Sequence, residues 1–366
     1  MTTISEISSE SSTESKTPST ASMNLQQAIN DALRLKMAED EHIYLMGEDI
    51  GTLGGIFQVT AGLKAQFGED RVIDTPLSET AIVGAAIGMA LFGLRPVVEI
   101  QFMDFIYPAA DQIINELAKL RYRSGGQFTA PVVIRAPYGG GIGGGVYHSQ
   151  SSEAMFLHVA GLKVVTPANP VDAKGLLIAS LEAEDPVLFL EPKRLYKLFK
   201  AEVPLSIYRV PLGKGKIVRA GKDMTLVAYG GTVHVALQVA KMAAAEIDCE
   251  VIDLRTLSPW DESLVFESVS KTHRAAVLHE APTNCGFGAE ISARITEEMF
   301  TELEAPVMRI TGFDTPYPYA LERIYYPHPD RVFRMIQNAF ESRNRDAKFE
   351  EATSCKLQAP SQNPKR

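Results

Sequence analysis

Apolar residues recur at every fourth position in MNLQQAINDALRLKMAED, at Leu25, Ile29, Leu33 and Met37, a spacing that predicts an amphipathic helix. HIYLMGED then reads as a short buried strand ending in a Gly-Glu-Asp turn. A helix near VTAGLKAQFG and a strand at RVIDT follow, and a further helix starts at Glu79 with Ser78 as its N-cap. RPVVEIQF and PVVIRAP predict strands on either side of the helix PAADQIINELAKLRYRSGG. Beyond the glycine-rich loop YGGGIGGGVYHSQ come GLKVVTPANP, the helix PVDAKGLLIASLEAED and the strand PVLFLEP. Strands alternating with helices favour a largely parallel sheet covered on both faces.

Residues 201–222 carry prolines and turn glycines without sustained periodicity and read as a connector. A second α/β series follows in MTLVAYG, TVHVALQVAKMAAAEI, CEVIDL, DESLVFESVSKT, RAAVLHE, FGAEISARITEEMF and VMRITG. The predicted organisation is a tail at 1–22, an α/β domain at 23–200, the connector, a second α/β domain at 223–345 and a polar tail at 346–366. With 366 residues and 45% hydrophobic content, the chain can bury cores for both.

A net charge of -9 without a Lys/Arg cluster argues against nucleic acid as a partner. The longest apolar run, Ala81 to Leu94, is shorter than the roughly 20 residues that cross a bilayer. Cys249, Cys285 and Cys355 form no CxxC, so neither a disulfide framework nor a zinc site is indicated. The Ser/Thr-rich start carries three Glu and no Arg, unlike a mitochondrial presequence, and a cytoplasmic location is expected.

GGGIGGG, Gly139 to Gly145, lacks the Lys-Ser/Thr of a P-loop, and HEAPT at His279 lacks the second His of a zinc helix. No GxSxG occurs. What remains is a carboxylate, Glu79, at the mouth of an apolar segment with Gly84 and Gly88 on one helix face, and His148 behind a flexible loop. On spacing alone, Glu79 is equally a first-turn residue favoured by the helix dipole. Gly84 and Gly88 suggest close packing or a subunit contact, since glycine inside a helix costs about 1 kcal/mol against Ala.

The stretches GEDIGTLGGIFQVTAGLKAQFGEDRVIDTPLSETAIVGAAIGMALFGLRPVVEIQFMDF, YHSQSSEA, DPVLFLEPKRLY, VIDLRTLSPWD and GFDTPYPYALE resemble the beta subunits of thiamine-diphosphate-dependent 2-oxo acid dehydrogenases, over about residues 24 to 340. The branched-chain group is favoured by LRYRSGGQF, EIQFMDF and DTPYPYA; the alternatives are a pyruvate or acetoin dehydrogenase counterpart and a non-catalytic assembly subunit of the same fold. The resemblance implies a pyrimidine-binding α/β domain followed by a transketolase-type C-terminal domain. It also implies an alpha partner in an α2β2 heterotetramer and a lipoyl-bearing acyltransferase core that receives the acyl group. In that family the alpha subunit holds the cofactor's diphosphate and Mg2+, and this chain contains no GDG, the start of the usual metal-diphosphate motif.

Carried over residue by residue, Glu79 matches the carboxylate that bonds N1′ of the aminopyrimidine, where a shared proton activates the cofactor. A desolvated carboxylate with a raised pKa is expected there. Leu77 and Phe105 match positions that contact the pyrimidine ring; Phe105 stands where a relative carries Tyr and so lacks the hydroxyl. His148 matches the histidine assigned to acyl transfer. A potassium ion, held mainly by carbonyls, maps to Ala130, Val132, Val133, Ser180, Ala183 and Asp185, with Ala183 in place of an Asp. Arg255 and Trp260 are expected to be structural or subunit contacts.

Overall fold

The computed structural model describes residues 19–340. Its larger sheet has seven strands in the spatial order Thr256–Ser258, Lys163–Val165, Val187–Pro192, Val133–Tyr138, Arg95–Glu99, Ile43–Gly47, Val72–Asp74. All its pairings are parallel except that of Thr256–Ser258. The chain enters at Ile43–Gly47, runs to Val72–Asp74 on one side and then crosses to Arg95–Glu99 on the other. Such a reversal opens a crevice at the carboxyl ends of the two inner strands, the usual ligand position in an open α/β sheet.

Successive strand residues face opposite sides of this sheet. Val98, Ile134 and Leu188 join the core beneath the helix Glu79–Leu91, whereas Val97, Val133 and Phe189 join the core on the other face. There the helices Leu25–Glu39 and Pro170–Leu181 pack together. Leu25, Ile29, Leu33 and Met37 are all buried, as their spacing predicts, and each contributes about 1.5–3 kcal/mol. Asn24 caps the first helix in a reciprocal box with Gln27. The buried Lys174 ammonium bonds Asp31 at 2.7 Å and ties the two helices together.

The second sheet runs Met308–Ile310, Ala275–Leu278, Met224–Ala228, Cys249–Asp253, Lys216–Arg219, with only the last antiparallel. Its inner face shares a core with the first unit: Val227, Ile252 and Val277 belong to the cluster that contains Val98 and Ile134. No helix among the described residues is long and apolar enough to cross a membrane.

Several boundaries differ from the sequence expectation, for one physical reason. Thr20–Met23, expected in the N-terminal tail, pairs antiparallel with Ala201–Pro204, expected in the connector. Lys216–Arg219, also from the connector, edges the second sheet. Thr256–Ser258 leaves the second unit to edge the first sheet. These short strands gain backbone partners far away in sequence, which local periodicity does not register. The helix expected over PAADQIINELAKLRYRSGG is a π-helix at Gln112–Leu117 and a short α-helix at Leu120–Arg123. Residues 1–18 and 341–366, which hold most of the expected N-terminal tail, the end of the expected second domain and the whole expected C-terminal tail, lie outside the described residues.

Candidate active site

The sequence-predicted residues leave the carboxyl edge of the seven-stranded sheet on neighbouring loops: Leu77 and Glu79 after Val72–Asp74, Phe105 after Arg95–Glu99, and His148 after Val133–Tyr138. Beneath them lies a buried ion triad. Arg135 donates to Glu191 at 2.7 and 2.9 Å and to Glu99 at 2.7 Å, each from a neighbouring strand. Burial opposes the Arg135 charge, but Glu191 and Glu99 more than offset it and hold the guanidinium pKa above its ordinary value. Tyr196 donates its hydroxyl to Glu191 and packs against Phe57, with ring centroids 5.1 Å apart.

Phe57 meets Phe102 at 5.5 Å, and Phe102 meets the His148 ring edge-on at 4.6 Å. Phe105 also packs on His148, at 5.4 Å. Aromatic edges therefore hold the imidazole in a fixed orientation. Phe105 and His148 are both half-buried and keep part of their surface available.

Two contacts connect the Glu79 helix to this cluster. The Thr80 hydroxyl donates to the Pro108 carbonyl at 2.6 Å, and the neighbouring Tyr107 donates to Gln150 at 2.7 Å. Ser78 occupies the cap position, yet its side chain makes no capping bond. Glu79 is half-buried, so this chain alone does not enclose it as the desolvation argument expected; Leu77 beside it is 78% exposed. Glu48, just after Ile43–Gly47, is a further half-buried carboxylate that feels the Glu79 charge and that the sequence reading did not single out. Burial first, then the Glu79 and Asp49 charges, push its carboxyl pKa up. The signal was present in the Gly-Glu-Asp turn, which reads equally well as a loop end.

The two helix glycines do not serve packing within the chain. A Cβ on Gly88 would meet nothing within 4 Å, and one on Gly84 only Gln112 Oε1 at 3.7 Å. Their face, with Ala81, Ala85 and Phe92, is open.

The loop before His148 is held by the second unit. Glu280 accepts from the Gly140 amide at 3.2 Å, and Glu322 accepts from the amides of Gly141 and Gly143. A Cβ on Gly139 would strike the Glu280 carboxylate, at φ 76°, where side chains are strained in any case. A cleft of about 480 Å³ runs beside this loop, lined by Tyr147, Gln150, Ser152, Pro282, Tyr317 and Tyr325.

Residues 21–198 match the family described as Transketolase, pyrimidine binding domain, and residues 213–332 match Transketolase, C-terminal domain. The chain is 48% identical over 336 residues to the 2-oxoisovalerate dehydrogenase subunit beta of Pseudomonas aeruginosa, covering 87% of this chain and 95% of that one. It is 47% identical over 325 residues to the pyruvate dehydrogenase E1 component subunit beta of Acholeplasma laidlawii, covering 88% and 99%. The chain belongs to the beta subunits of the thiamine-diphosphate-dependent 2-oxo acid dehydrogenases. A solved split-gene transketolase, in an inactive beta4 tetramer, superposes with TM-score 0.72 at 24% identity over 87% of this chain and 98% of that one, a likeness of fold.

For such a beta subunit this edge carries groups suited to an aminopyrimidine: the half-buried Phe105 ring and the carboxylates Glu48 and Glu79. The potassium positions fit less uniformly. The Ala130 amide donates to the Glu184 carbonyl at 3.0 Å and the Val187 amide to the Val132 carbonyl at 3.0 Å, which ties residues 130–133 to residues 184–187. Ser180 O accepts from the Ala183 amide, and Ala183 O accepts from Arg95 at 2.7 Å. The Asp185 carboxylate is committed elsewhere, paired with both Arg121 and Lys163. Arg255 proves structural: it bonds the carbonyls of Lys214 and Gly215 and reaches Asp172 at 3.3 Å, joining the two units. Trp260 packs edge-on against Phe266 and Phe287.

Proposed function

We propose that this chain is the beta half of a branched-chain 2-oxo acid dehydrogenase and that its carboxyl-edge crevice receives the aminopyrimidine of thiamine diphosphate. When bound, the cofactor supplies the electron sink for loss of carbon dioxide from the 2-oxo acid. Glu79 accepts and shares a proton at N1′, Leu77 and Phe105 contact the ring, and His148 delivers a proton to the lipoyl sulfur during acyl transfer. The observation that carries this reading is the packing of Phe105 and His148 at 5.4 Å on an edge to which the Glu79 helix is also tied.

An alpha subunit completes the site in this reading, holding the diphosphate and Mg2+ in an α2β2 assembly. The half-buried Glu79, the exposed Leu77 and the open glycine face support that, since each lacks the cover that a second surface would give. A lipoyl-bearing acyltransferase core receives the acyl group. Any potassium ion would rest on the backbone carbonyls of Ala130, Val132, Val133, Ser180, Ala183 and Asp185, since the Asp185 side chain is paired with Arg121 and Lys163.

The substrate preference follows LRYRSGGQF, EIQFMDF and DTPYPYA. The near-equal identity to a pyruvate dehydrogenase beta subunit supports a second reading, in which pyruvate is the substrate. Assay of the reconstituted alpha-beta enzyme with 2-oxoisovalerate and with pyruvate decides between them. The expected result is higher kcat/KM for 2-oxoisovalerate; a clear preference for pyruvate overturns the first reading.

A further inference from the structure

The stretch FLEPKRLY contributes Glu191 to the ion triad and Tyr196 as its hydrogen-bond donor, but neither contact uses its lysine. Lys193 begins a single turn that follows strand Val187–Pro192, and it is only 4% exposed. Among the described residues its ammonium has no hydrogen-bond partner and no ion pair. It lies 5.3 Å from the centroid of Phe102, the ring that meets His148 at 4.6 Å.

Asp104 is the carboxylate whose charge acts most strongly on it. One carboxylate oxygen accepts the backbone amides of Ser149 and Gln150, both at 3.0 Å, and so fixes the chain immediately after His148. Its other oxygen is buried without a partner, as is the Ser149 hydroxyl. Burial brings the Lys193 pKa down to about 8, opposed first by the charge of Asp104 and then by Glu280 and Glu322. A buried ammonium and a buried carboxylate that do not touch thus adjoin two supports of the imidazole, the Phe102 ring and the backbone after His148.

This arrangement is poor for stability. A buried charge without a direct partner is costly, and a well-packed apolar side chain of similar volume is often neutral or stabilising in its place. The charge does, however, act on both supports of His148: it attracts the face of Phe102 and the carboxylate that holds Ser149 and Gln150.

We propose that Lys193 is a positioning residue for the acyl-transfer half of the reaction, fixing the His148 ring through Phe102 on one side and Asp104 on the other. This rests on the assignment of His148 to that half-reaction. Removing the charge loosens His148 while leaving the Glu79 side of the crevice intact, so the two half-reactions separate.

The test uses the enzyme reconstituted with its alpha chain and thiamine diphosphate. Decarboxylation is followed with an artificial dye acceptor, and reductive acylation with an isolated lipoyl domain. For Lys193→Met the expected result is decarboxylation within about two-fold of wild type, reductive acylation lowered at least about ten-fold, a loss of about 1.4 kcal/mol or more, and Tm unchanged or raised. In fluorohistidine-labelled enzyme, the fluorine resonance of residue 148 moves out of its ring-current position. Lys193→Gln, which retains a polar end, should give the same split and stands in if the Met variant misfolds. Parallel loss of both half-reactions with a lower Tm, or no change in either, overturns the proposal. His148→Ala is the control: if it leaves reductive acylation intact, the reading of His148 fails and the proposal with it. If it blocks reductive acylation while both Lys193 variants sustain it, the proposal alone is overturned.

Discussion

The two parallel sheets end in carboxyl edges of opposite character. At the first, the groups are half-exposed: Glu48, Glu79, Phe105 and His148 stand at or just beyond the strand ends, and Leu77 is exposed. At the second, Tyr229, His279 and Glu280 are buried. Tyr229 donates to Glu153 of the first unit at 2.7 Å, and Glu280 takes the Gly140 amide. Burial brings the His279 pKa down to about 4, and its Nε2 accepts from the Gly288 amide at 3.2 Å, the behaviour of a neutral core histidine. A parallel sheet offers a ligand crevice only where its carboxyl edge is left uncovered. Here the second unit uses its own edge to grip the loop that carries His148, and the first edge stays open.

The largest effect on this contrast should come from the ion triad beneath the open edge. Arg135→Met leaves Glu99 and Glu191 buried without their cation, and loss of one partner of a buried pair costs about 3–5 kcal/mol. Chemical denaturation should show that loss, together with a disordered His148 environment. A variant as stable as wild type would show that the triad does not support the edge.

The covered edge should respond to pH. Burial pushes the Glu153 carboxyl up to about 7, against an ordinary value of 4.5. Between those values the folded chain holds a proton that the unfolded chain has released. The stabilisation is complete below about 4.5 and is lost as pH rises through about 7. From pH 5 to 8, wild type should lose on the order of 2–3 kcal/mol more than Glu153→Gln. Subtracting the variant separates Glu153 from Glu280, whose carboxyl burial also raises. Equal pH dependence in the two proteins would mean that the Glu153 side of the contact is not dry.

A smaller effect is expected at the grip itself. Glu322→Ala removes the acceptor for Gly141 and Gly143, worth about 1–2 kcal/mol locally. Amide exchange over residues 141–147 should accelerate about 5–30-fold with global stability little changed. Unchanged exchange would show that the loop is ordered without the second unit.

Much of the fold was legible because its helices and strands carry their own periodicity. Leu25, Ile29, Leu33 and Met37 mark a helix wherever they occur. Thr256–Ser258 and Thr20–Met23 were not legible, because nothing local marks a three- or four-residue strand whose partner is remote. The candidate site divides in the same way. Glu79 and His148 stand out beside an apolar run and a glycine loop, whereas Lys193 and Glu153 look like ordinary surface charges until burial is known. The half-burial of Glu79 was not legible for a different reason: the apolar helix after it faces partly outward, so its own chain supplies only part of the cover.

The most direct measurement is decarboxylation by Glu79→Gln assembled with a normal alpha subunit, with assembly checked by size-exclusion chromatography. The open edge, with Glu79 as its proton-sharing group, predicts an intact assembly and a fall in kcat of about 10²–10⁴-fold. Turnover equal to wild type in that assembled variant would contradict it.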